Sequence, residues 1–124
     1  VSAARLVEVT VVMAWSPGAP GGDSDHRIVF SVALDAQGQP DGAAWLADPA
    51  PWPARRDGPG QSALAGDVVH DEDGWSLRFY RDPAAAPDAP VHRLLHRGAP
   101  RPGEMLTIRD PEGVETAWRV VGIG

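Results

Sequence analysis

Cysteine, lysine and asparagine are all absent from these 124 residues. Without cysteine there are no disulfides, no thiolate metal sites and no cysteine nucleophile. Without lysine there is no Schiff-base or lysine general-base chemistry, and no Gly-x-x-x-x-Gly-Lys-Ser/Thr phosphate loop. No apolar run approaches the roughly 20 residues that span a bilayer. The longest, residues 9 to 15, is strand-sized and interrupted by Thr10. The chain does not open on a basic region followed by an apolar stretch, so no signal peptide is expected and the cytoplasm is the default location.

Positive charge is also scarce. Eleven Arg face 17 acids, for a net charge of −6, which argues against nucleic-acid and membrane partners. The imbalance is uneven: up to Gly74 four Arg meet eleven acids, and from Trp75 onward seven Arg meet six. Exclusive use of Arg, with abundant Ala, Pro and Gly, reflects a GC-rich coding background. The length suits a single domain, 1–124, large enough to bury one core.

What is present is a series of hairpins. Leu106 and Ile108 alternate with Thr107 and Arg109, the period-two pattern of a half-buried strand, and Asp110-Pro111-Glu112-Gly113 supplies a turn. The same Asp-x-x-Gly turn recurs at Asp35–Gly38 and Asp71–Gly74, each followed by a return segment carrying Trp45, Trp75 or Trp118. Residues 5–15 place Val7, Val9, Val11, Met13 and Trp15 on one side. Residues 27–34 place Ile28, Phe30, Val32 and Leu34 likewise, and Trp75, Leu77 and Phe79 share a face opposite Ser76, Arg78 and Tyr80. A weaker return strand is expected around 43–46, and a helical turn at 62–65.

The stretch 48–60, with Pro49, Pro51, Pro53 and Pro59, reads as a loop, as do 16–25 and 82–90. Residues 91–97 fit a short helix or a strand equally. The pattern predicts an all-β fold: a small antiparallel β-barrel or sandwich of about six to seven short strands built from hairpins, with long Pro/Gly-rich loops and at most one short helix. A closed barrel is preferred because it removes exposed edges.

Chemistry-bearing patterns are sparse. His92 and His96 are four apart and would share a face, but no third ligand is nominated, so no metal is expected. The run His70-Asp71-Glu72-Asp73 is rich in oxygen ligands, yet Gly74 closes a hairpin where a calcium loop would continue. Gly60-Gln61-Ser62-Ala63-Leu64 lacks the closing glycine of a nucleophile elbow. Glu8 and Glu104 alone among the acids are flanked by strongly apolar sequence, and Glu8 sits on the polar side of its strand. No catalytic residue and no cofactor is therefore assigned.

Arg78, Tyr80 and Arg81, with Arg93 and Arg97, form the best candidate binding face, since Arg and aromatics together suit phosphates, stacked bases or a protein partner's acidic patch, of which the protein partner is preferred. Trp52, between two prolines, either caps the barrel with its loop or serves as a stiffened partner anchor.

The ending Gly103-Glu104-Met105-Leu106-Thr107-Ile108, a turn, then Trp118-Arg119-Val120-Val121-Gly122 resembles the closing hairpin of small phage neck and tail-joining barrels. That resemblance covers about a fifth of the chain and implies a subunit of a larger assembly. The expectation is a non-enzymatic protein-interaction or structural module with a protein partner or its own copies. The alternative is a small-ligand-binding barrel or barrel enzyme.

Overall fold

In the computed structural model the described residues are 5–95 and 99–124. Eight antiparallel strands close into a barrel in sequence order, each paired with its neighbours and β8 with β1. They are β1 (Arg5–Trp15), β2 (Asp23–Leu34), β3 (Pro53–Gly58), β4 (Gln61–Asp71), β5 (Gly74–Tyr80), β6 (Val91–Leu94), β7 (Met105–Arg109) and β8 (Glu115–Ile123). A six-residue helix, α1 (Gly42–Ala47), lies in the β2–β3 connection, and a 3-10 turn (Pro83–Asp88) in the β5–β6 connection. Among the described residues no helix is long and apolar enough to cross a membrane.

Eight strands leave an interior just wide enough for side chains to fill. Val7, Val9, Val11, Ile28, Phe30, Val32, Leu77, Leu106, Ile108, Trp118 and Val120 point inward and are buried. These are the apolar halves of the period-two patterns, and each large side chain contributes about 1.5–3 kcal/mol by leaving water. Burial departs from strict alternation in β2, where Ser31 and Ala33 are buried as well as Phe30 and Val32, and in β5, where Ser76 is buried beside Leu77. Bulges after Thr10, Val12 and Met13 bend β1, and Trp15 ends 43% exposed at its far end.

The three Asp-x-x-Gly turns are built alike. Asp35 Oδ1 accepts from the backbone N–H groups of Gln37 (2.8 Å) and Gln39 (3.0 Å), Asp71 Oδ1 from Asp73 (2.9 Å), and Asp110 Oδ1 from Glu112 (2.9 Å) and Val114 (2.8 Å). Gly38, Gly74 and Gly113 close them with φ of 79°, 121° and 91°, where a side chain would be strained.

Four local expectations are corrected. β2 begins at Asp23, inside the stretch 16–25 expected as a loop, because Asp23 to Asp25 hold no proline or glycine. The stretch 48–60 contains β3, because Pro53 occupies its first position and the next five residues hold no proline. Residues 62–65 belong to β4 and form no helical turn. Residues 43–46 lie in α1, not in a strand: Asp41 caps it by accepting from Ala44 N–H (3.1 Å), and Ala and Leu favour helix. At 91–97, where helix and strand fitted equally, residues 91–94 form strand β6.

Candidate functional site

The strand order gives the barrel two different ends. At one end lie α1 and the β4–β5 and β6–β7 connections; at the other lie the β1–β2, β3–β4, β5–β6 and β7–β8 connections. The α1 end opens on a cavity of about 130 Å³ inside the barrel. Phe30, Val32, Val68, Trp75, Leu94 and Leu106 line it, with Gln39, Pro40 and Pro100 at its rim. Among the described residues Gln39 is its one polar lining residue.

An aromatic cluster stiffens this end. Trp52 stacks on Trp75 with ring centroids 5.7 Å apart and planes 13° from parallel. Trp75 meets His70 at 4.2 Å, and His70 meets the edge of Trp45 at 6.0 Å. Two of the three indole N–H groups have protein acceptors: Trp45 donates to the Val68 carbonyl (2.9 Å) and Trp52 to Asp48 Oδ2 (3.0 Å). Trp45 thereby ties α1 to β4. Gly42 leaves room for the His70 ring, because a Cβ there would lie 2.6 Å from His70 Nε2 and push the imidazole aside.

At 2% exposure Trp52 is part of the core and packs in the manner of a cap. Its indole is not presented to solvent in this structure. The proline-flanked loop delivers it inward, onto Trp75.

The Arg-aromatic face is on the outside of β4, β5 and β6. Asp67 and Arg78 stand directly opposite each other in the β4–β5 register. The Arg78 guanidinium donates Nε to Asp67 Oδ1 and Nη2 to Oδ2, both at 2.8 Å. That carboxylate holds the Arg78 pKa above its ordinary value. Arg93 forks in the same way onto Asp71 (3.0 and 3.3 Å), and the Asp71 pKa falls below the usual carboxylate range chiefly through that contact.

Tyr80 sits half-buried on this face, its pKa raised by burial first and by the Asp67 charge second. Arg81 lies just past β5 and is exposed. Arg97 lies outside the described residues, as does His96. The strands therefore bring Arg78, Tyr80 and Arg93 together, but the two guanidinium forks are occupied by carboxylates and staple β4, β5 and β6.

Among the described residues no three His, Asp or Glu side chains gather as a metal site would require. His92 faces the barrel interior at the end away from α1, opposite the fully buried Leu77 in the register. Its ring meets Phe79 edge-on at 5.5 Å. Burial lowers its pKa below 6.5, Arg56 lowers it further, and Asp110 partly opposes them.

Two features of these ends have no local signal in the sequence. The cavity draws its walls from residues scattered between 30 and 106. Arg56 could have been placed only by recognising β3, after which Ala54 and Arg56 share the inward face. Comparison of the chain with protein-family models, with curated proteins and with solved structures returns no match.

Proposed function

We propose that the protein is a non-enzymatic binding module whose barrel holds a small apolar ligand at its α1 end. The observation that carries this reading is the cavity of about 130 Å³, walled by aliphatic and aromatic side chains, with Gln39 the one polar residue at the rim among those described. An apolar cavity of roughly 150 Å³ in another protein stays dry and takes benzene, whereas pockets for drug-sized ligands need about 300 Å³ or more. The chemistry that fits is a single ring or a short branched alkyl group, with one polar substituent directed to the Gln39 amide.

The test is an NMR titration with toluene and phenol, following the Trp75 indole N–H, in the wild type and in Val68→Phe, which fills the cavity. Saturable shifts in the wild type, lost in the folded Val68→Phe protein, support the reading. No saturable shift, or equal binding by the filled variant, overturns it.

A second reading, a subunit of a larger assembly, has its own observation. Leu46 on α1 is 80% exposed and Leu6 48% exposed, and both lie at the α1 end. A shallow surface groove lined by Leu6, Ala33, Ala44, Ala47 and Trp52 runs there. The neck or tail-joining barrels that the closing hairpin resembles would be assemblies of this kind. Light scattering over a concentration series, wild type beside Leu46→Glu, decides it: an oligomer that the substitution dissociates supports it, and a monomer in both removes it.

A further inference from the structure

The mouth opposite α1 holds a half-buried cation, Arg56, with no counter-ion in contact among the described residues. In the register Arg56 stands opposite Ile28, which is 1% exposed, so its side chain enters the barrel. Its guanidinium lies 5.9 Å from the Trp118 ring centroid. That indole is itself fixed, donating Nε1–H to Thr116 Oγ1 at 2.8 Å.

Comparison with the other arginines shows what is unusual. Of those whose side chains are described, Arg55, Arg78, Arg93 and Arg109 each fork onto a carboxylate. Arg27, Arg81, Arg101 and Arg119 have no such partner among the described residues and are exposed to water. Arg56 alone is withdrawn from water and makes neither ion pair nor hydrogen bond with a described residue. A charge removed from water without hydrogen-bond acceptors is costly, and a cation–π contact repays only part of that cost. Asp110 faces the same mouth from the β7–β8 turn. Its Oδ1 is engaged by the backbone N–H groups of Glu112 and Val114, and it makes no ion pair with Arg56.

We propose that this mouth binds a small organic carboxylate, with the Arg56 fork taking both carboxylate oxygens and the part-exposed Phe79 and His92 contacting the rest of the molecule, over the buried Trp118 ring. The planar guanidinium matches a carboxylate in bidentate geometry. One cation, already within the field of Asp110, suits a monoanion better than a phosphate dianion. Burial also keeps His92 neutral near pH 7, so it adds no second positive charge. The site is at the end opposite the cavity and does not depend on what the cavity holds.

Benzoate is the probe, titrated against sodium chloride at matched ionic strength while the Trp118 indole N–H is followed by NMR. A saturable shift with benzoate, absent with chloride, is expected in the wild type. Arg56→Met should weaken binding about tenfold or more, and Arg56→Lys, which keeps the charge but loses the planar fork, about threefold or more. A wild type that shows no benzoate response beyond that of chloride overturns the proposal. So does an Arg56→Met or Arg56→Lys protein that binds benzoate as tightly as the wild type. Should Arg56→Met not fold, the wild type and Arg56→Lys suffice to decide between these outcomes.

Discussion

Asp67→Ala is expected to destabilise the barrel by about 2–3 kcal/mol, between the value of an exposed ion pair and that of breaking a fully buried one. The limits come from the geometry. The Asp67 side chain is 5% exposed and Arg78 24%, and two hydrogen bonds of 2.8 Å join them across the β4–β5 register. An exposed pair would be worth about 0.2–1 kcal/mol, while stripping a partner from a wholly buried charge costs about 3–5 kcal/mol. Arg78, one-quarter exposed, would recover part of its hydration and so brings the figure below the upper range.

For a domain of this size the loss corresponds to a fall in Tm of about 10 °C. Urea denaturation followed by tryptophan fluorescence measures it, in a cycle of Asp67→Ala, Arg78→Ala and the double variant. The pairwise coupling should be about 1–2 kcal/mol, since charge-assisted hydrogen bonds are worth about 1.5–3 kcal/mol before rehydration. Asp67→Asn should recover less than half of the loss, because it keeps acceptor geometry but removes the charge. A coupling below about 0.5 kcal/mol would refute the reasoning and return the pair to the ordinary surface class.

Gly66→Ala should cost about 3 kcal/mol, at the top of the overpacking range, because a Cβ at Gly66 would stand 1.9 Å from the Arg78 carbonyl oxygen and 2.9 Å from the Phe79 ring. Backbone on the facing strand cannot step aside, and denaturation within about 0.5 kcal/mol of wild type would contradict this. His92 sets a pH dependence of definite sign. Its folded pKa lies below the 6.5 of the unfolded chain, so the unfolded state binds the proton more readily. Stability is full above pH 6.5, declines as pH falls from there to the folded pKa, and then levels for this group. His92→Phe should flatten that segment of the stability–pH curve, and an unchanged slope would show that another group carries it.

Much of the barrel is legible along the chain because its causes are local. Val7, Val9 and Val11, or Leu106 and Ile108, alternate with polar neighbours because a strand shows successive residues to opposite faces, and that needs no knowledge of the partner strand. Asp35, Asp71 and Asp110 each bond their own turn within a few residues, so the hairpins follow from composition and spacing. The number of strands is less accessible. Pro53 sits at the one place in β3 where a strand tolerates proline, and its neighbours disguise that stretch as a loop.

The candidate sites depend on closure. Arg78 and Arg93 look like an open binding face until β4, β5 and β6 pair and set Asp67 and Asp71 against them. Trp52 fits a cap or an anchor by sequence, and only the folded loop sets it on Trp75. The cavity and the Arg56 mouth exist only once strands far apart in the chain enclose a common interior. Alternation and turn chemistry are properties of neighbouring residues and are written into the chain. Enclosure and charge pairing are properties of the closed sheet, where residues separated by many positions become each other's surroundings.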